Sequence, residues 1–234
     1  MPSESHPESS APVTVTFARP EESGPFRRRL AGLQRVKRAE LPVFAGRYRE
    51  TDVIVVHVGI GLESAARTIR AVLAAGKPRR IIAAGFAGGL DPALRIGDTV
   101  TEDFPGPRDD RKRVILSLPD PLETIAEKDR AFRESGARVV DMETSALAEA
   151  CDAAGVPMTA IRAVSDTAGD ALPVPFGKWF DPARQRPRPL ALLGFLARNP
   201  SRIVPFARFV LRLPRVAAAL ADAIEGNLRG PGAR

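Results

Sequence analysis

Short apolar runs separated by segments with helical periodicity are the feature that most constrains the fold of this 234-residue chain. The pattern predicts strands over residues 13–18, 43–48, 53–58, 80–85, 98–101, 114–118, 138–141 and 158–164. It predicts helices over residues 22–33, 62–75, 123–135 and 144–154. Because strands that are apolar throughout are typical of sheets buried on both faces, we expect an α/β fold with helices on each side of one sheet.

Composition narrows the class of protein. The chain has one cysteine, Cys151, and two histidines, which excludes an intramolecular disulfide framework and leaves little for a metal site. We therefore expect a cytoplasmic protein that needs no metal or other cofactor. Residues 1–12 are polar and rich in Pro and Ser, which predicts a disordered lead-in. A domain over residues 13–170 and a basic helical extension over residues 171–234 are expected to follow.

Carboxylates follow three of the predicted strands. Asp141 and Glu143 lie in the segment VVDMET at the end of one strand, Asp166 ends another, and Glu21 and Glu22 follow the first strand. Each acid alone would be an ordinary helix cap or a solvated loop residue. Since ligands of α/β sheets bind beyond the ends of strands, the acids taken together predict a ligand site.

Two glycine segments accompany these acids. Gly59 and Gly61 open a helix, but Ser64 stands where a dinucleotide-binding loop would have its third glycine, so a Rossmann-type site is not indicated. The segment GFAGGLDP follows a strand and breaks at Pro92 rather than opening a helix. Its residue Gly88 is expected to let the backbone approach a flat ligand closely.

Four motifs in this order resemble a known family: VGIG at 58–61, AGFAGGLDPALRIGD at 84–98, VVDMET at 139–144 and GVPMTAIRAVSD at 155–166. They resemble the purine nucleoside phosphorylase and nucleosidase superfamily, most of all its methylthioadenosine/S-adenosylhomocysteine nucleosidase branch. The resemblance implies a three-layer αβα sandwich around a twisted mixed sheet. It also implies cleavage of the N-glycosidic bond of an adenine nucleoside.

The resemblance assigns roles to individual residues. Glu143 would grip the ribose hydroxyls, with Met142 packed against the sugar. Asp166, beside Ser165, would donate a proton to the purine ring, and it must therefore hold a proton near neutral pH. Glu22 would be the base that activates water. The remaining substrate contacts that we expect are Phe86, Ala87 and Gly88.

Water and phosphate are alternative nucleophiles in this superfamily. A phosphorylase holds phosphate with arginines and hydroxyls, and the hexameric phosphorylases carry an arginine and a serine where this chain has Ala83 and Phe86. Glu21 and Glu22 would repel a phosphate dianion. Hydrolysis is therefore favoured, and the alternative is phosphorolysis with arginines supplied from elsewhere, such as Arg67 or a partner subunit of the expected homodimer.

The C-terminal stretch is both basic and apolar. Between Arg184 and Arg215 it contains eight arginines and no acid, interleaved with LALLGFLA and IVPFARFVLRL. This pattern is typical of a segment that lies on an anionic membrane surface, here the inner face of the membrane. The alternative is a helix that packs on the domain with its arginines solvated. Nucleic-acid binding is not expected, because aromatic residues for base stacking are few.

The C-terminal stretch and Phe86 also resemble a sub-branch, the hopanoid-associated phosphorylase-like proteins. This resemblance implies a lipid-linked adenine nucleoside such as adenosylhopane as substrate, in preference to small thio-nucleosides. A third class of function stays open at this point, namely a membrane-surface binding protein that kept the fold and lost catalysis.

Overall fold

The computed structural model describes residues 11–38, 41–104 and 113–229, so most of the predicted lead-in lies outside the described residues. The elements, in chain order, are β1 (Val13–Phe17), α1 (Pro20–Arg27), β2 (Ala31–Arg38), β3 (Leu41–Tyr48), β4 (Thr51–His57), α2 (Leu62–Ala74), β5 (Arg80–Gly89), β6 (Thr99–Phe104), β7 (Ile115–Ser117), α3 (Ile125–Ser135), β8 (Val139–Asp141), α4 (Thr144–Ala153), β9 (Met158–Asp166), α5 (Phe176–Trp179), β10 (Phe180–Asp181), β11 (Arg186–Pro187), α6 (Pro189–Arg198) and α7 (Ile203–Arg229).

Strands β1 to β9 form one mixed sheet. Its main path runs β2-β3-β4-β1-β5-β8-β7, while β9 pairs with β5 and β6 pairs with β9. The central strands β4, β1, β5 and β9 are parallel to one another. Strands β2, β3 and β6 join antiparallel at the edges, and β8 pairs antiparallel with the end of β5.

Alternate residues of β5 face two different hydrophobic layers. Ile81 and Ala83 belong to a cluster that includes residues of α2 and α4, whereas Ile82 and Ala84 belong to a cluster that includes residues of α1 and α7. Because successive side chains of a strand point to opposite faces of the sheet, helices cover both faces. This arrangement confirms the predicted three-layer αβα sandwich.

The predicted helix over residues 22–33 is wrong in its second half. Helix α1 ends at Arg27, and from Ala31 the chain forms β2, which pairs antiparallel with β3. Strand β2 lies at the edge of the sheet and is exposed over most of its length, so it lacks the alternation of apolar and polar residues that reveals a strand. Several strands are longer than predicted; of those that reach the cavity, β5 continues to Gly89 and β9 to Asp166.

Helix α7 has two halves in different surroundings. Val210 and Leu211 are exposed, whereas Val216, Leu220 and Ile224 are buried in the cluster that covers one face of the sheet. The end of α7 therefore packs on the same core as the preceding strands, and the division of the chain at residue 170 stays a prediction. No helix within residues 11–38, 41–104 and 113–229 is long and apolar enough to cross a membrane.

Candidate active site

A change of partner along one edge of β5 creates an opening in the sheet. Strand β1 pairs with β5 only as far as Ala83, and β8 takes over at Gly88. Strand β9 occupies the other edge of β5 along this whole length. The ends of β1, β5, β8 and β9 therefore converge around the interval between Ala83 and Gly88.

A cavity of about 310 Å³ lies at this convergence. All eight residues predicted to act on a substrate line it: Glu22, Phe86, Ala87, Gly88, Met142, Glu143, Ser165 and Asp166. They come from four separate segments of the chain, and their convergence agrees with the expectation that the strand-end acids share one ligand site. Their individual roles stay predictions.

Glu22 lies in the first turn of α1 and lines the cavity. Its carboxyl group accepts hydrogen bonds from the backbone N–H of Phe86 at 3.1 Å and of Arg19 at 3.0 Å. The side chain is buried, and this burial raises the pKa of Glu22 although both hydrogen bonds and the charge of Arg162 oppose the change. A carboxylate with a raised pKa is a better proton acceptor near neutral pH, which suits a general base.

The two acids of VVDMET have different surroundings. Asp141 forms a buried ion pair with Arg162, whose Nε lies 2.7 Å from Oδ2, and it also accepts hydrogen bonds from the hydroxyls of Ser117 and Thr144. Among the described residues, no cation forms an ion pair with Glu143, whose Oε1 accepts a hydrogen bond from the backbone N–H of Gly61 at 2.7 Å. These contacts indicate a structural role for Asp141.

Burial, together with the charge of the neighbouring Asp141, raises the pKa of Glu143 to about 8. The hydrogen bond from Gly61 and the charge of Arg162 act in the opposite direction and are outweighed. Strongly perturbed acids in a cleft are characteristic of functional sites. Glu143 therefore has the surroundings expected of a residue that meets a polar ligand.

Asp166 ends β9 and has a partner on each carboxylate oxygen. The Ser165 hydroxyl donates to Oδ1 at 2.6 Å, and the Nζ of Lys128, a fully buried residue of α3, donates to Oδ2. The sequence pattern gave no sign of this lysine, because one basic residue in the amphipathic helix α3 is ordinarily solvated. A buried cation next to a proposed proton donor is the main departure from expectation at this site.

Gly88 is closely packed where it lines the cavity. A Cβ atom at this position would lie 3.2 Å from Oδ2 of Asp166 and 3.3 Å from Cγ1 of Val140. The absence of a side chain thus lets the carboxyl group of Asp166 lie against the β5 backbone. The further expectation, that this backbone approaches a flat ligand, stays a prediction.

Much of the apolar lining of the cavity comes from the C-terminal third of the chain. Its apolar lining residues from this part are Leu172, Phe176, Trp179, Phe209 and Leu213. Pro121 and Leu122 add apolar surface from the segment before α3. The resemblance places the residue that stacks on adenine within residues 118–124, which include Pro121 and Leu122. The lining residues after residue 170 were not predicted as part of the site, because they lie in segments without any recognisable motif.

The C-terminal third is also attached to the motif VGIG. Gln185, which precedes β11, accepts a hydrogen bond from the N–H of Ile60 and donates one to its carbonyl oxygen, both at 2.8 Å. Ile60 lines the cavity, and its neighbour Gly61 contacts Glu143. Gln185 therefore connects the C-terminal third to the loop that holds Glu143.

An α/β sandwich that gathers four buried acids in one strand-end pocket is the architecture of an enzyme with acid–base chemistry. The chain belongs to the phosphorylase superfamily, whose family model matches residues 12–102 and 111–187.

Curated relatives and solved structures are consistent with this membership. The chain is 24% identical over 184 residues to a 5'-methylthioadenosine/S-adenosylhomocysteine nucleosidase of Marinomonas sp., covering 61% of this chain and 80% of the relative. It is 27% identical over 195 residues to the nucleosidase of the same name from Haemophilus influenzae, covering 66% and 85%.

Two solved structures show the same fold. The nucleosidase of this name from Campylobacter jejuni superposes with a TM-score of 0.67 at 16% identity, covering 95% of this chain and 100% of that structure. The futalosine hydrolase of Helicobacter pylori superposes with a TM-score of 0.66 at 16% identity, covering 94% and 98%.

Proposed function

We propose that this protein hydrolyses the N-glycosidic bond of an adenine nucleoside and releases adenine. The observation that carries the proposal is the convergence of Glu22, Glu143 and Asp166 on one cavity. The curated relatives are nucleosidases by name, and a structural neighbour is a hydrolase of a related kind. Both support a water-dependent cleavage.

The chemistry follows from the charges that develop during cleavage. As the bond between C1′ and the purine nitrogen breaks, its electron pair goes to the base and positive charge builds on the sugar. Glu22 takes a proton from the attacking water, whose oxygen bonds to C1′. Asp166 supplies a proton to the departing base. Glu143 holds the ribose hydroxyls, and in its ionised form it stabilises the positive charge.

Water is favoured over phosphate by the charge at the first-strand loop. Arg19, the arginine of this loop that lines the cavity, is engaged by Glu21 through two hydrogen bonds of 3.0 and 2.8 Å. Glu21 therefore already compensates the charge of Arg19, which leaves less of it to hold a phosphate. The acids Glu21 and Glu22 would also repel a phosphate dianion.

We propose further that the substrate carries a large apolar group, as in a lipid-linked nucleoside such as adenosylhopane. The proposed catalytic acids are buried, whereas Phe176, Trp179, Phe209 and Leu213 form a partly exposed apolar wall of the same cavity. A hydrocarbon attached to the sugar would gain about 25 cal/mol for each Å² of apolar surface buried there. A small polar nucleoside would leave most of this apolar wall without a partner.

Contact with the inner face of an anionic membrane completes the proposal. Six of the eight large apolar side chains that are exposed within residues 11–38, 41–104 and 113–229 lie in or next to α6 and in the first half of α7. They are Leu190, Leu193, Ile203, Val204, Val210 and Leu211. Since Phe209 lines the cavity and its neighbour Val210 is exposed, this apolar surface adjoins the cavity in which a lipid-linked substrate would bind.

An assay of adenine release tests the reaction. The purified protein is incubated with methylthioadenosine and with an adenosine that carries a long alkyl group at the 5′ position, each with and without phosphate. We expect free adenine and the free sugar in phosphate-free buffer, with the alkyl substrate favoured. A sugar 1-phosphate formed only with phosphate would identify a phosphorylase instead, and no adenine from either substrate would favour a binding protein.

Co-sedimentation with lipid vesicles tests the membrane contact. The protein should bind anionic but not neutral vesicles, because each arginine near the surface contributes about 1 kcal/mol, and binding should weaken with salt. A variant with Arg198, Arg202 and Arg208 changed to Gln should bind less. A control with Arg70, Arg95 and Arg130, also exposed, changed to Gln has the same net charge and should bind normally. Equal binding of both variants would contradict the proposal.

A further inference from the structure

Lys128 is a buried charged residue to which the proposed reaction assigns no role. Its side chain is fully buried inside the described part of the protein. Nζ donates to Oδ2 of Asp166 and, at 2.9 Å each, to the carbonyl oxygens of Thr167 and Asp170. Three acceptors match the three N–H groups of an ammonium, so this nitrogen is held in one position.

Burying the ammonium group of Lys128 costs free energy unless its charge and its hydrogen bonds are compensated. Transfer of an ammonium group out of water costs several kcal/mol, which only a close carboxylate and further hydrogen bonds can offset. A neutral residue with the same volume would fill the space at lower cost. A role in orienting Asp166 therefore accounts for a lysine here better than packing does.

The N-terminal end of α3 is stabilised by hydrogen bonds. Thr124 accepts a hydrogen bond from the N–H of Glu127, and the Glu127 carboxylate accepts one from the N–H of Thr124, which together form a capping box. Lys128 is the next residue along the helix. The position of its backbone is thus fixed at the helix end from which the side chain reaches Asp166.

The ammonium group constrains which oxygen of Asp166 can carry a proton. Oδ2 accepts from Lys128, so a proton taken up by the carboxyl group is directed to Oδ1. Oδ1 contacts the Ser165 hydroxyl, and this hydroxyl can rotate from donating to accepting. The carboxyl group can therefore become protonated on Oδ1 while the contact with Lys128 is kept.

We propose that Lys128 is a positioning residue that anchors Oδ2 of Asp166 and thereby directs the proton for the leaving base through Oδ1. The inference rests on the proposed function, because it assumes that Asp166 assists departure of the base. It adds a residue of α3 to that machinery.

The test compares two leaving groups in Lys128→Met, which removes the charge and keeps a long unbranched side chain. Adenine needs a proton to depart, whereas 4-nitrophenolate, released from 4-nitrophenyl riboside, does not. We expect kcat for the adenine nucleoside to fall about 10²- to 10³-fold, within the range of general acid catalysis. The rate with the nitrophenyl substrate should fall less than about tenfold on the same basis. Asp166→Asn should give the same contrast.

Two further variants serve as controls for this test. Arg133→Met removes an exposed cation from the same helix and should leave both rates unchanged. If Lys128→Met fails to fold by circular dichroism, Lys128→Gln, which retains an amide donor, is measured with the same two substrates. Equal losses on both substrates, or no loss on either, would overturn the role of Lys128. If the wild-type protein releases no adenine at all, the proposed function itself fails.

Discussion

The substitution Glu143→Gln should make the stability of the protein less sensitive to pH. Burial and the neighbouring Asp141 raise the pKa of Glu143 from 4.5 to about 8. A carboxyl group with a higher pKa in the folded state contributes stability that is complete below the unfolded pKa. That stability is lost as the pH rises through the folded pKa. The loss for Glu143 therefore falls between about pH 4.5 and 8.

The size of the effect follows from the same two values. A pKa that moves from 4.5 to about 8 corresponds to about 5 kcal/mol of unfolding free energy as an upper value. Gln keeps the volume of the side chain and can still accept the hydrogen bond from Gly61, but it does not ionise. For a chain of this size, each kcal/mol corresponds to about 2–4 °C in melting temperature.

Urea unfolding at several pH values from 5 to 9, followed by circular dichroism, measures this difference. The free energy of unfolding should fall with pH more steeply for the wild-type protein than for Glu143→Gln. Some slope should remain in the variant, because the pKa of Glu22 is raised as well. Glu134→Gln, at an exposed position, is the control and should behave like wild type. Parallel curves for Glu143→Gln and wild type would refute the reasoning.

Three other substitutions test separate parts of the site. Glu22→Gln should lower the rate of adenine release about 10²- to 10⁴-fold with little change in KM, because it removes the proposed base; a near-normal kcat would exclude that role. Arg162→Met leaves Asp141 buried without its cation and should cost about 3–5 kcal/mol in urea unfolding; unchanged stability would show that Asp141 needs no partner. Gly88→Ala places a Cβ 3.2 Å from Oδ2 of Asp166, so kcat should fall while the melting temperature changes little, and a normal kcat would count against the close packing.

The strand-end acids and glycines were predictable because their signals are local. Asp141, Glu143 and Asp166 each follow an apolar run directly, so their place at the ends of strands follows from the sequence pattern alone. Their convergence with Glu22 required only the rule that ligands bind beyond strand ends. The order of the motifs supplied the family and, with it, the layered architecture.

Other parts of the site depend on contacts between residues far apart in the chain. Lys128 becomes buried only because α3 lies beside the end of β9, and the sequence of α3 gives no indication of that. Trp179 and Phe209 reach the cavity from segments after the last motif. Strand β2 exists because β3 pairs with it, and exposed pairing of this kind leaves little trace in the pattern of apolar residues.

The second half of α7 is synthesised after every strand of the nine-stranded sheet. Until Val216, Leu220 and Ile224 emerge from the ribosome, one apolar face of the nascent sheet is without one of the two helices that pack on it. Exposed apolar surface of this kind favours aggregation during folding. A chain that stopped after residue 215 would already contain every acid of the pocket and yet could not close its core.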